Sequence, residues 1–333
     1  MKLKDIGEFG FIDRIAPMGN VRPEGVVKGI GDDCAVIQIR GDEYLLLTTD
    51  LLVEKIHFLM DWAAPEIIGA RALTANLSDI AACGGDPRDA FLSLAIPDRI
   101  EVEWLDAFYR GLTDLARRYQ VNVLGGDTTS SKSDFVINIA VTGMVPSTQV
   151  LFRHTANEGD IIIFTGPTGL SGAGCDILLN HPDLKSEAAG AAIKAHLEPR
   201  PHVAEGRMLA ASGSCTAAID LSDGISSDLG HLCRDSGLGA VLYEEKIPIA
   251  PELIELGKVI VKDPLDWVLN GGEDYVLLAA IRPAALRTVL DTAVRNGWKF
   301  YPIGEFVSGR KMRLIRTDGT KQEIAPAGWD HFA

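Results

Sequence analysis

Residues 65–85 read PEIIGARALTANLSDIAACGG, and the fold class turns on that stretch. Pro65 suits the first turn of a helix, where its missing N–H is no loss. No further proline interrupts the run to Cys83, and Gly84-Gly85 ends it. On one side lies Leu45–Thr49, a short apolar run that reads as a buried strand, and on the other lies Phe91–Ile96, a second strand. Strand, helix and strand in succession argue for a mixed α/β protein. Further along, Glu103–Tyr119 reads as an amphipathic helix, with Val121–Leu124 and Phe135–Val145 as strands.

The pattern changes near Pro146–Asp160, where a strand ends and a polar turn leads into a new strand, Ile161–Thr165. A chain of 333 residues is long for one core, so the reading is two domains, 1–150 and 151–333. The second half repeats the alternation. Helices are expected at Leu170–Asn180, Ser226–Asp235 and Pro283–Asn296. Strands are expected at Cys215–Ile219, Ala240–Tyr243, Tyr275–Ala280, Phe300–Val307 and Met312–Arg316.

Composition excludes several classes. The net charge of −14 and the lack of a basic stripe argue against nucleic acid. No apolar run is long enough for a membrane span, and no signal peptide is recognisable, so a cytoplasmic location is expected. Five cysteines without a CxxC pair fit reduced thiols, and Cys34 reads as a small buried hydrophobe.

Five aspartate clusters stand out. Gly29-Ile30-Gly31-Asp32-Asp33 is a flexible turn presenting two carboxylates that point to opposite sides, one for metal and one for the loop. Thr48-Thr49-Asp50 follows an apolar strand, and hydroxyls and carboxylates are hard ligands suited to Mg²⁺. Asp79 sits among Leu77, Ile80 and Ala81, where a lone charge is costly unless paired or metal-bound. Gly125-Gly126-Asp127-Thr128-Thr129 again puts an acid beside glycines after a strand, and Asp220-Leu221-Ser222-Asp223-Gly224 sits between a strand and a helix. Two carboxylates ~4 Å apart repel by about 4 kcal/mol at an effective dielectric near 20. Convergence of such acids therefore implies a divalent cation, and Mg²⁺ between carboxylates and phosphate oxygens is the pattern of phosphoryl transfer. Asp33, Asp50, Asp79, Asp127 and Asp223 are the leading candidates. No GxxxxGK[ST] and no protein-kinase motif set is present. The glycine-rich Gly166–Gly174 follows a strand but has no lysine, and it reads as a strand-to-helix turn.

In order and spacing, GIGDDCAVI, TTDLLVEKIHF, NLSDIAACGGDP, LGGDTT, IDLSDGISSDLGH, NGGEDY and GWDHF resemble the thiamine-monophosphate kinases, within the wider aminoimidazole ribonucleotide synthetase-like superfamily. The resemblance spans Phe9 to Phe332. It implies an α/β fold of two domains with mixed sheets flanked by helices. It also implies transfer of the γ-phosphate of ATP onto thiamine monophosphate, several Mg²⁺ ions, and a homodimer formed through the N-terminal domain. By the same resemblance, Asp33, Thr48, Thr49, Asp50, Asp79, Asp127, Asp220 and Asp223 would hold metal, with Asp50, Asp127 and Asp223 closest to catalysis. Tyr109, Gly126, Asp127, Arg153 and Ser222 would contact ATP. His57, Glu273 and Trp329 would contact thiamine monophosphate, Trp329 by a cation–π contact with the thiazolium.

Overall fold

The computed structural model describes residues 2–19 and 21–325. Its N-terminal sheet contains β1 (Val26–Lys28), β2 (Ala35–Arg40), β3 (Glu43–Val53), β4 (Asp86–Pro97), β5 (Asn122–Ser131) and β6 (Val136–Pro146). Their order is β1-β2-β3-β6-β4-β5, antiparallel except for the β4–β5 pair. Helix α1 (Gly7–Gly19) precedes the sheet, while α2 (Pro65–Ala82) and α3 (Val102–Tyr119) cover one of its faces.

The second sheet is built from β7 (Ile161–Phe164), β8 (Cys215–Asp220), β9 (Gly239–Tyr243), β10 (Leu277–Ile281), β11 (Tyr301–Val307), β12 (Met312–Ile315) and β13 (Lys321–Ile324). The order is β13-β12-β9-β11-β7-β10-β8. Around it lie α4 (Leu170–Asn180), α5 (Glu187–Leu197), α6 (Val203–Ala211), α7 (Ile225–Ser236), α8 (Pro251–Ile260), α9 (Pro264–Asn270) and α10 (Leu286–Arg295). The sequence reading found most strands of this half but not α5, α6, α8, α9 or β13. It also stopped two strands early: β3 runs on through Asp50, and β5 runs on through Gly125, Gly126 and Asp127.

Helix α2 is the hub. Thirteen of its 18 residues are buried, including Arg71, Asn76 and Ser78, because it packs against both sheets. A helix apolar nearly all round is one enclosed on all sides. Glycines permit the close approaches: a Cβ on Gly111 of α3 would lie 1.8 Å from the Glu66 carbonyl oxygen of α2, and one on Gly206 of α6 would lie 2.1 Å from that of Ala81. Strand β10 is buried on both faces. Its Leu277, Ala279 and Ile281 join a core that includes α2, while Leu278 and Ala280 join the core of the outer helices. The same alternation applies to β8, where Ala218 belongs to the α2 side and Ala217 and Ile219 to the other. Period two therefore turns Asp220 toward α2. Among the described residues, no helix is long and apolar enough to cross a membrane.

Candidate functional site

Three carboxylates meet at the end of α2. Oxygens of Asp33, Asp79 and Asp220 lie within 4.8 Å of one another. Each arrives for a local reason. Asp33 closes the turn before β2, Asp79 sits in the last turn of α2, and Asp220 ends β8 on its α2-facing side. A helix C-terminus carries partial negative charge, which adds to the repulsion at Asp79.

Polar neighbours fix all three. Thr48 Oγ1 donates to Asp79 Oδ2, and Ser78 Oγ donates to Asp220 Oδ2 at 2.6 Å. Arg153 pairs with Asp33 through Nη2, with Nε at 3.2 Å from the same oxygen. The backbone N–H of Arg153 reaches Asp32 Oδ2 at 3.4 Å, and Asp32 also accepts from the Asp33 N–H at 3.1 Å. Asp33 enters the cluster, and Asp32 holds backbone N–H groups of the loop.

Burial pushes Asp220, Asp50 and Asp79 upward. Asp220 rises to about 8, through desolvation and then the Asp33 charge. Asp50 rises to about 6 for the same two reasons. Asp79 lies well above the ordinary carboxylate range, through desolvation and then its neighbours Asp50, Asp220 and Asp33. Asp33 Oδ2 is buried with no hydrogen-bond partner among the described residues. Hard oxygen donors, mutual repulsion and an orphaned carboxylate oxygen together fit a divalent cation such as Mg²⁺. Cys83 lies near Asp32 and Asp33, but a thiol is a poor ligand for that ion.

The remaining candidates are placed unevenly. Leu46, Thr48 and Leu52 are buried on the helix-covered face of β3, and by alternation Asp50 shares it. Thr49 lies on the opposite face, where its hydroxyl accepts from Asn138 Nδ2 at 2.9 Å. Only its backbone could offer an oxygen to the cluster. Asp127 is exposed on the edge strand β5, with Oδ1 accepting from the Thr128 N–H at 2.9 Å. Gly126 beside it has φ +150°, and a Cβ there would fall 1.4 Å from the Leu92 carbonyl oxygen. Tyr109 is exposed on α3, edge-on to Phe108, and no hydrogen bond or ion pair joins it to the cluster among the described residues. Asp223 precedes α7, and Asp228 accepts from the Asp223 and Gly224 N–H groups at 3.1 Å each.

Ser222 and Glu273 meet through the backbone: the Glu273 N–H donates to the Ser222 carbonyl at 2.7 Å. Glu273 also takes Arg71 Nη2 at 2.5 Å, and Arg71 Nη1 reaches the His57 carbonyl at 3.1 Å. His57 Nδ1 accepts from the Val53 N–H at 3.0 Å, which leaves the ring proton on Nε2. Trp329 lies outside the described residues. Of the Gly166–Gly174 segment, residues 166–169 form the strand-to-helix turn and residues 170–174 already belong to α4. The N–H groups of Gly169 and Ser171, at the start of α4, are taken by the Asp274 carboxylate at 2.7 and 3.3 Å.

Sequence reading missed Ser78, Arg71, His196, Asp228 and Asp274. Arg71 left a trace as a lone cation inside an apolar helical run, and Asp274 lies beside Glu273 in a motif already singled out. Ser78 and Asp228 likewise lie inside motifs already singled out, NLSDIAACGGDP and IDLSDGISSDLGH, whereas His196 has no signal that one sequence displays.

Residues 31–145 match the family AIR synthase related protein, N-terminal domain, and residues 157–317 match AIR synthase related protein, C-terminal domain. The chain is 37% identical to thiamine-monophosphate kinase of Escherichia coli O157:H7 over 329 residues, 98% of each chain. It is 31% identical to thiamine-monophosphate kinase of Bacillus subtilis strain 168, over 98% of this chain and 99% of that one. A solved structure of AaThiL complexed with AMPPCP and TMP superposes with a TM-score of 0.86 at 32% identity, covering 99% of both chains.

Proposed function

The chain belongs to the thiamine-monophosphate kinases, and from that premise we propose that it transfers the γ-phosphate of ATP to thiamine monophosphate, giving thiamine diphosphate and ADP. The observation that carries the proposal is the meeting of Asp33, Asp79 and Asp220 at the seam between the two sheets, in a chain of this family.

The acceptor supplies its own nucleophile, because a phosphate monoester oxygen is anionic at neutral pH. No strong general base is needed. The acceptor oxygen bonds to the γ-phosphorus as the bond to the β,γ-bridging oxygen breaks, and ADP leaves. The task of the protein is positioning and charge stabilisation. Asp33, Asp50, Asp79, Asp127, Asp220 and Asp223, with Thr48 and the Thr49 backbone, would hold Mg²⁺. When bound, Mg²⁺ neutralises phosphate charge and screens the carboxylates from one another. Arg153, Ser222, Gly126 and Tyr109 serve the nucleotide. His57, Glu273 and Trp329 serve the acceptor.

A division at residues 150/151 gives each domain part of the site. A homodimer through the N-terminal sheet belongs to the same reading. It is supported by Leu47, Leu51, Phe91 and Leu124, exposed on that sheet, and by the exposed edge strand β5. Free thiols at all five cysteines suit the reducing cytoplasm, where we place the reaction.

The test is an ADP-release assay with thiamine monophosphate, ATP and Mg²⁺. Turnover that needs all three supports the reading. Nucleotide binding without acceptor-dependent ADP release identifies a nucleotide sensor instead.

A further inference from the structure

We propose that Arg71 is a positioning residue for the acceptor, fixing Glu273 and the His57 turn in one relation across the seam between the two sheets. The inference rests on the acceptor reading above, which gives Glu273 and His57 to thiamine monophosphate.

Arg71 is 5% exposed, in the middle of α2. One guanidinium nitrogen meets the Glu273 carboxylate at 2.5 Å, 202 residues away in the chain. Another meets the His57 carbonyl at 3.1 Å. A planar fork can hold two acceptors at a set angle, whereas an ammonium is a point charge on a flexible stem. The residue thus ties together two groups that approach the acceptor from opposite domains.

The loop it grips is held in an unfavourable backbone. Glu273 and Tyr275 have φ of +61° and +51°, the left-handed region that favours glycine. Such backbone persists where the surroundings over-determine it, and it clusters at ligand sites. Here the Glu273 N–H is held by the Ser222 carbonyl at 2.7 Å, and the Tyr275 N–H by the Leu221 carbonyl at 2.9 Å. Between them, Asp274 is anchored on the start of α4. Arg71 then holds one oxygen of the Glu273 carboxylate itself.

The surroundings of that carboxylate are polar and incompletely hydrogen-bonded. His196 Nδ1 lies 3.5 Å from Glu273 Oε2, and its ring stands edge-on to Trp62 at 6.0 Å. His196 Nε2 and Arg71 Nε are buried with no hydrogen-bond partner among the described residues. Each orphan belongs to a side chain that meets the Glu273 carboxylate through a different nitrogen, and because buried polar atoms are nearly always satisfied, the two leave donor or acceptor capacity for a polar ligand beside these side chains.

The test compares Arg71→Lys and Arg71→Gln with the wild type, varying thiamine monophosphate and ATP separately and recording melting curves. Loss of a charge-assisted contact to a binding carboxylate should raise the KM for thiamine monophosphate about tenfold or more. The KM for ATP should stay within about twofold. A folded variant with an unchanged acceptor KM overturns the proposal. So does a parallel rise in both KM values, or the failure of both variants to fold, since either marks Arg71 as purely structural. A wild-type chain that binds no thiamine monophosphate overturns the acceptor reading itself, and that is seen before any variant is made.

Discussion

Ser78 donates its hydroxyl proton to Asp220 at 2.6 Å across the seam between the sheets. It sits one residue before Asp79 on α2, so a single helical turn contributes one carboxylate to the cluster and anchors another. Ser78→Ala removes the donor and leaves a buried carboxylate oxygen bare, which costs about 1–3 kcal/mol. The variant should melt lower than wild type, and the Mg²⁺ concentration for half-maximal activity should shift. An unchanged Mg²⁺ titration would show that the hydroxyl does not hold Asp220 for the metal.

The cluster predicts an unusual pH profile for the metal-free protein. Asp220 at about 8 and Asp50 at about 6 bind protons more tightly when folded than their ordinary value of 3.8 allows. For a carboxylate raised by folding, the stability contribution is full at low pH and is lost as pH rises from about 4 toward the folded value. In chelator, the melting temperature should therefore fall between pH 5 and pH 8. Mg²⁺ should restore more stability at pH 8 than at pH 5, and its binding near pH 7 should release protons into a weak buffer. A Mg²⁺ stabilisation that is equal at both pH values would contradict this account.

Asp50→Asn and Asp127→Asn keep size while removing charge. Each should lower kcat at saturating Mg²⁺ by about 10²-fold or more, the scale seen when an electrostatic group at a reacting centre is lost. Near-normal turnover in either variant would remove that residue from the metal set. Asp127 is the sharper test, because it lies exposed on the edge strand rather than in the buried cluster.

Gly126 and Gly125 should respond differently to alanine. A Cβ on Gly126 would strike the Leu92 carbonyl oxygen at 1.4 Å, so Gly126→Ala must push β5 off β4. At Gly125 nothing lies within 4 Å, and its φ of +159° is close to extended. Gly126→Ala should be poorly folded or inactive, and Gly125→Ala should fold. Circular dichroism melts and the ADP-release assay report both. Equal tolerance would mean that β5 does not pair as described.

The outline of the site was legible in the chain because its acids sit beside residues that signal turns and strand ends. Asp33, Asp50 and Asp79 fall in motifs that set a carboxylate beside glycines, hydroxyls or apolar residues, whereas Asp220 joins the metal set only through the family resemblance. Strand ends were less legible. The glycines at 125 and 126 suggested a stop, yet β5 passes through them, because sheet pairing with β4 overrides local preference. Thr48 and Thr49 read alike as neighbours, and only the pleat of β3 sends one toward α2 and the other to the outer face.

The sequence by itself determined the α/β alternation, the acidic and glycine-rich motifs, and the family they belong to, since these depend on residue type and local spacing. Tertiary structure alone decided which acids converge. Asp33, Asp79 and Asp220 come from three distant segments, and the burial of α2 between two sheets is what brings them within 4.8 Å. It also decided the partners of Arg71, for no local rule links position 71 to position 273. Long-range contacts follow from the packing of apolar faces, and that packing is a property of the whole chain.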